Sequence, residues 1–339
     1  MAKATKLVTN VKNKTKYVLH YRNLQIYLSA GIVLKKIHRA IKFKQERYLK
    51  PYIDLCTLKR KEAKNPFEKM LFKLFMNSVY GKFLQNQRKH FDVKICTKKS
   101  QLTKYFSLPN YKGHRILSET VVAVYLAKTK VKLDRLYATG FSILEISKNH
   151  MYNSWYNFIQ PNLGWENVSV VLTDTDSLLL KVQNMSRNEM FEALKDCMDF
   201  SNYPKSHIRY NTDHQAIPGF FKDENAGNYL VEVIGLKSKC YITNSIAPCT
   251  KETAVNVVCK GIGKKAKTGL TLKTFRNVIA NFSQIKADMY TIRSKNHQLY
   301  TQKLNKIALS TTDDKRFLMD CGRHTLPHGS QESTKCSRC

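Results

Sequence analysis

Two carboxylates one residue apart, Asp174 and Asp176, lie within "VVLTDTDSLLLKV" (residues 170–182), between apolar runs on either side. Val170, Val171 and Leu172 on one flank, and Leu178, Leu179 and Leu180 on the other, predict two short buried strands. The Asp-Thr-Asp-Ser between them is turn chemistry, so the stretch predicts a tight hairpin with acids at its tip. Acids at i and i+2 converge on one point, and like charges that close repel unless a cation stands between them. The same four residues would serve a solvated turn equally well. What surrounds them has to decide.

A second group lies in "NPFEKMLFKLFMNSVYGKF" (residues 65–83). Asn65 as N-cap, Pro66 in the first helical position and Glu68 at N3 predict a helix start, and Gly81 predicts its stop. On that helix Lys69, Lys73 and Asn77 follow at i+4 spacing and share one face, with Tyr80 seven residues beyond Lys73 on the same stripe. Two ammonium groups, an amide and a phenol suit a nucleotide: the lysines offset triphosphate charge, and the amide and ring lie against sugar and base. Taken alone, the same stripe is a solvated basic face.

The elements around these groups belong to a strongly basic chain. Its 339 residues carry 58 Lys and Arg against 25 Asp and Glu, a formal net charge of +33. Such an excess predicts a polyanionic partner, most often nucleic acid. The charge is uneven: residues 1–100 hold 25 Lys and Arg against 5 Asp and Glu, while acids cluster from Glu166 to Asp199 and at Asp223, Glu224 and Glu232. A hydrophobic fraction of 42% suits a globular protein. No run approaches the roughly 18 apolar residues of a membrane span, and the Lys-rich start has no secretory core. We read that start as a DNA-facing arm and the protein as intracellular, with the nucleus favoured over the mitochondrion. Nine cysteines without a regular framework predict reduced thiols. Cys321, His324, His328, Cys336 and Cys339 are zinc-capable types, at a spacing that matches no zinc pattern.

Along the chain, helical spacing extends over residues 17–50, and 92–113 reads as irregular with a turn at "SLPNYKG". "SETVVAVYLAKTKVKL" and "GFSILEISKNHMYNSWYNFI" read as helices leading to the hairpin. "NYLVEVIGLKSKCYIT" is strand-rich, and the last hundred residues read as mostly helical around "LTLKTFRNVIANF".

The order of the two groups is more specific than either alone. K-x3-N-S-x-Y-G (Lys73, Asn77, Ser78, Tyr80, Gly81) followed by D-T-D-S resembles motifs B and C of family B DNA polymerases. Lys239-Cys240-Tyr241, after the strand "VEVIGLKS", resembles that family's K-x-Y motif. "HYRNLQIYLSAGIVLKKIHRAIKFKQ", "LKPYIDLCTLKRKEAKNPFEKMLFKLFMNSVYGK", "SNYPKSH" and "HQLYTQKLNKIALSTTDDKRFLMDCG" resemble the protein-primed branch of viruses and self-synthesising transposons. The resemblance implies template-directed nucleotidyl transfer from a dNTP to a primer hydroxyl. Two Mg2+ ions about 4 Å apart, replaceable by Mn2+, would be held by Asp174 and Asp176. It implies nucleotide contacts from Lys73, Asn77 and Tyr80, with Lys69 and Lys61 adding phosphate contacts. Lys239 and Tyr241 would hold the primer-terminal backbone, and Gly81 would let the chain approach the base pair. DNA primer–template, dNTPs and a terminal priming protein are the implied partners.

The departures are as informative. Leu172 stands where the family usually has a Tyr. Motif A, which supplies the other metal-binding Asp, is not found; Asp54 in "YIDLCT" fits neither its context nor its distance from Lys73. No 3'-5' exonuclease domain is found either. The expected fold is α+β, an incomplete right hand. Fingers and a basic arm would occupy residues 1–90, a partial palm sheet backed by helices 91–245, and a small thumb-like tail 246–339. It would be a C-terminal portion not competent alone. The competing reading is a non-catalytic basic nucleic-acid-binding protein derived from a mobile or viral element. Reverse transcriptase fits less well, because its hairpin carries adjacent acids.

Overall fold

The computed structural model describes residues 7–331, apart from 216, 249, 296, 297 and 323. The fold is mixed α+β with several small sheets. The chain divides into two compact units, Leu19–Asn149 and the remainder (Met1–Val18 with His150–Cys339).

In the first unit, α1 (Tyr21–Ser29) is shorter than the helical spacing predicted. Gly31 takes φ +86°, and its N–H and that of Ile32 turn back onto the carbonyls of Leu28 and Tyr27. A left-handed glycine closing the last turn is a standard helix stop. Residues 32–46 form no helix, and most of them are exposed. α2 (Lys50–Glu62) and α3 (Pro66–Phe83) are joined by three residues and pack as a helical hairpin. The Tyr52 hydroxyl donates to the Phe75 carbonyl (3.2 Å), and the Thr57 hydroxyl meets the Met76 sulfur (3.7 Å).

The stretch expected to be irregular instead forms β1 (Phe91–Cys96) and α4 (Lys99–Phe106), followed by β2 (Tyr111–Ser118). "TVVAVYLAK", expected as helix, is β3 (Val121–Ala127), the central strand of the antiparallel sheet β1-β3-β2. Val124 and Leu126 are buried on it with Cys96 of β1. A central strand covered on both faces loses its period-2 alternation, so its apolar run imitates a buried helix. α5 (Tyr137–Ser154) then carries the buried Glu145. The Asn23 amide of α1 donates to the Glu145 carboxylate (2.8 Å) and backbone carbonyl (2.9 Å), and the Lys148 ammonium lies 2.7 Å from the carboxylate's other oxygen. Asn23 is 0% exposed, so this bond fixes α1 on α5.

In the second unit the helix continues through a π-helical turn (Trp155–Ile159) into α6 (Gln160–Leu163), stopped by Gly164 at φ +85°. The hairpin follows as predicted: β4 (Val168–Thr173) pairs antiparallel with β5 (Leu178–Val182). It is less buried than its sequence suggested, with Val170 36% and Val171 50% exposed. α7 (Arg187–Ala193) starts with a Ser186/Glu189 capping box, and its Phe191 joins Leu163, Val168, Phe200 and Tyr203 in one core. Two acids, Asp199 buried and Asp223 half-buried, tie down the segment after it. Asp199 pairs with Lys222 (2.9 Å), and Asp223 accepts from Arg187 (3.1 Å) and the Tyr203 hydroxyl (2.8 Å).

The strands β6 (Tyr229–Lys237), β7 (Cys240–Ile246) and β8 (Thr253–Cys259) make an antiparallel sheet in sequence order. α8 (Leu272–Asn281) buries Phe275 and Val278 against it and is pinned by the forked Arg276–Glu232 pair (2.6 and 2.7 Å). The expected helical tail is otherwise wrong: β9 (Gln284–Lys295) and β10 (Gln298–Ser310) form a long hairpin, and β11 (Phe317–Leu318) pairs with β12 (Thr325–Leu326). "IKADMYTIRSK" alternates apolar and polar residues, the period of a two-stranded ribbon rather than a helix. The start of the chain is not a free arm throughout. Val11 N–H donates to the His328 carbonyl (3.1 Å), and His328 N–H donates to that of Thr9 (2.9 Å). No helix among the described residues is long and apolar enough to cross a membrane.

Candidate nucleic-acid and cation site

The α3 stripe forms because its start is capped from both sides. Asn65 Oδ1 accepts from Glu68 N–H (2.9 Å), while the Glu68 carboxylate takes the Asn65 amide (2.8 Å) and Lys64 N–H (3.0 Å). The helix then carries Lys69, Lys73 and Asn77 exposed and Tyr80 half-buried. No ion pair holds Lys69 or Lys73 among the described residues, so both charges face outward. Gly81 is not the stop: the helix runs on to Phe83. It has no left-handed φ, and nothing lies within 4 Å of where a Cβ would stand. Lys61 is not on this helix; it ends the separate helix α2, exposed in a last turn that also holds Lys59 and Arg60.

In the other unit, the β4–β5 hairpin places Asp174 and Asp176 on a strained tip. Asp176 N–H donates to the Asp174 carbonyl (2.8 Å), a three-residue γ-turn centred on Thr175 at φ +66°. A β-branched residue in that region costs on the order of 1–3 kcal/mol, and such strain clusters at sites that must aim side chains. The Asp174 N–H donates to the Ser177 carbonyl (3.2 Å), which closes the loop. At the base, β4 bulges at Val171, between the Val170–Leu180 and Leu172–Leu179 pairs.

The β6–β7 connection, Ser238–Lys239, delivers the second partner. Lys239 takes φ +61°, and its ammonium pairs directly with Asp174. That bonded ammonium holds Asp174 below the usual carboxylate range against the opposing pull of desolvation; the Thr175 hydroxyl and the Lys260 charge add to it. Two sequence-distant motifs, D-x-D and K-x-Y, therefore meet at one point. Tyr241 sits two residues along β7, half-buried. Lys260 was missed by the sequence reading. It enters because the β7–β8 register carries Lys260 N–H to the Lys239 carbonyl (3.1 Å), and no spacing rule announces that.

As a cation site the tip is incomplete. Asp176 is exposed and Asp174 is engaged by Lys239, and no cluster of three or more His, Cys, Asp or Glu gathers among the described residues. Oxygen donors of this kind suit one weakly held divalent ion but do not make a two-ion clamp. In the C-terminal group, Cys321 Sγ and His324 Nδ1 lie 3.4 Å apart. Cys336 and Cys339 fall outside the described residues.

Residues 2–123 match the family described as DNA polymerase type B, organellar and viral. This first third of the chain includes α1 to α3 with Lys61, Lys69, Lys73, Asn77, Tyr80 and Gly81; the Asp174 turn and Lys239 lie beyond it. Comparisons with curated proteins and with solved structures return no match.

Proposed function

We propose that this chain is a portion of a protein-primed family B DNA polymerase, acting on primer–template and dNTPs. The observation that carries this reading is the direct pairing of Lys239 with Asp174, since it brings together two motifs 65 residues apart that the polymerase pattern assigns to one reaction. The polymerase-type match over residues 2–123 supplies independent support, because it includes neither motif.

In this reading the α3 stripe binds the incoming nucleotide. Lys73 and Lys69 lie against the triphosphate, Asn77 and Tyr80 against sugar and base, and Lys61 adds a phosphate contact. Lys239 and Tyr241 hold the primer-terminal backbone, Lys260 extends the same basic edge, and the β9–β10 ribbon serves as the thumb-like element. Asp174 and Asp176 would hold a divalent cation, which when bound supplies charge stabilisation for phosphoryl transfer. A complete two-ion site needs carboxylates on both sides of the ions. With no larger acid cluster among the described residues, the chain alone binds primer–template without extending it. A basic binding protein without catalysis is the alternative, favoured by the charge of +33 alone.

The test is equilibrium binding to primer–template across a salt series. About 5 to 8 phosphate contacts are expected, each contributing roughly −0.9 to the slope of log K against log salt, with little sequence preference. Lys73→Ala and Lys239→Ala should each weaken binding and flatten the slope by about one contact. Sharp base-specific discrimination, or a slope unmoved by both variants, would count against the proposal.

A further inference from the structure

Cys240, the middle residue of Lys239-Cys240-Tyr241 and the first of β7, stands directly opposite Cys259 in the β7–β8 register. The flanking hydrogen bond identifies the kind of pair. Lys260 N–H donates to the Lys239 carbonyl, one residue outside Cys240 and Cys259. The two cysteines therefore form a non-hydrogen-bonded antiparallel pair, the type in which Cα atoms approach to about 4.5 Å and side chains come closest. That separation lies within the Cα range of about 4.4–6.8 Å that a disulfide spans.

Both thiols point the same way. Cys259 Sγ donates to the Ala308 carbonyl at 3.0 Å, and Cys240 Sγ lies 3.9 Å from the same oxygen. Only 4% of Cys240 and 3% of Cys259 is exposed. Two cysteines facing each other at bonding register, one on the strand that follows Lys239 and one on its neighbour, are more than interchangeable small core residues.

We propose that Cys240 and Cys259 are a redox-modification site that closes to a cross-strand disulfide. The oxidant is a small peroxide, since the buried pair excludes bulky thiol reagents. One sulfur attacks the peroxide oxygen, giving a sulfenic acid and water. The second sulfur then displaces the hydroxyl as a second water, so two thiols and one hydrogen peroxide become one disulfide and two waters. Burial, with the Cys259 thiol beside it, pushes Cys240 up to about 12, so Cys240 rests as a thiol and oxidises slowly. The bridge would staple β7 to β8 immediately beneath the Lys239 turn. This inference is independent of the polymerase reading, because its readout is thiol chemistry.

The experiment exposes the folded full-length chain to hydrogen peroxide, blocks remaining thiols, and maps unreduced peptides by mass spectrometry. The expected product is a Cys240–Cys259 linked peptide lighter by two hydrogens, reversed by dithiothreitol and missing in Cys259→Val. The oxidised chain should also melt at a higher temperature than the reduced one, because the bridge restricts the unfolded chain. Recovery of Cys240 and Cys259 as free thiols while Cys197 and Cys321 oxidise would overturn the proposal. So would a bridge that forms only in denaturant.

Discussion

At the residue scale, Gly81 is the position that the fold leaves unexplained. A glycine inside a helix costs about 0.5–1 kcal/mol relative to alanine, and open space surrounds its missing Cβ. Gly81→Ala should therefore raise the melting temperature while weakening primer–template binding several-fold, measured by thermal melting and by anisotropy. A variant that gains stability and binds unchanged would remove Gly81 from the interface. The hairpin tip makes a second case. Thr175 holds a strained φ of +66°, and the turn it creates carries both acids. Millimolar Mn2+ should raise the melting temperature of the chain, and Asp176→Ala should abolish the rise. An identical shift in the variant would return the turn to a solvated hairpin. Both groups were legible in the sequence because their chemistry is local: the Asn65–Glu68 cap and the Asp-Thr-Asp-Ser turn are each decided within four residues. Neither the Asp174–Lys239 contact nor the part played by Lys260 was expected, because strand register and not local spacing brings them together.

Elements were read well where one signal dominated and poorly where two competed. α3 and the β4–β5 hairpin follow their caps and turn residues. β3 was mistaken for helix because burial on both faces erased alternation, and β9 and β10 were mistaken because their period-2 pattern was not weighed against the adjoining helix α8. The overlong first helix failed at Gly31, which the periodicity ignored. The buried contact of α1 with α5 gives an element-scale prediction. Burial alone would push Glu145 up, but Lys148, the Asn23 amide and the His20 N–H outweigh it and hold the carboxyl below its usual range. A depressed folded value means that the ionised form stabilises the fold above the ordinary Glu pKa, about 4.3, and that this contribution disappears as pH falls through that value and below it. Glu145→Gln should cost about 1–3 kcal/mol at pH 7. The gap to the parent chain should close in acid. Parallel melting curves from pH 7 to pH 3 test this, and a pH-independent gap would show that packing rather than charge is lost.

For the whole molecule, the charge of +33 points to a polyanionic partner. Binding alone does not separate a polymerase portion from a basic binding protein; catalysis does. Phosphoryl transfer by two metal ions needs acids on both sides of the ions, and each tenfold loss of rate corresponds to about 1.4 kcal/mol of lost transition-state stabilisation. With only Asp174 and Asp176 gathered among the described residues, extension should fall below detection. The most direct measurement is primer extension with Mg2+ or Mn2+ and four dNTPs. It compares this chain with a version fused to a motif A segment from a protein-primed polymerase. The account predicts no extension by the chain alone and templated extension by the fusion, lost again with Asp176→Ala. Robust extension by the unaided chain would contradict the incomplete site, and a fusion that binds DNA but never extends it would contradict the polymerase reading itself.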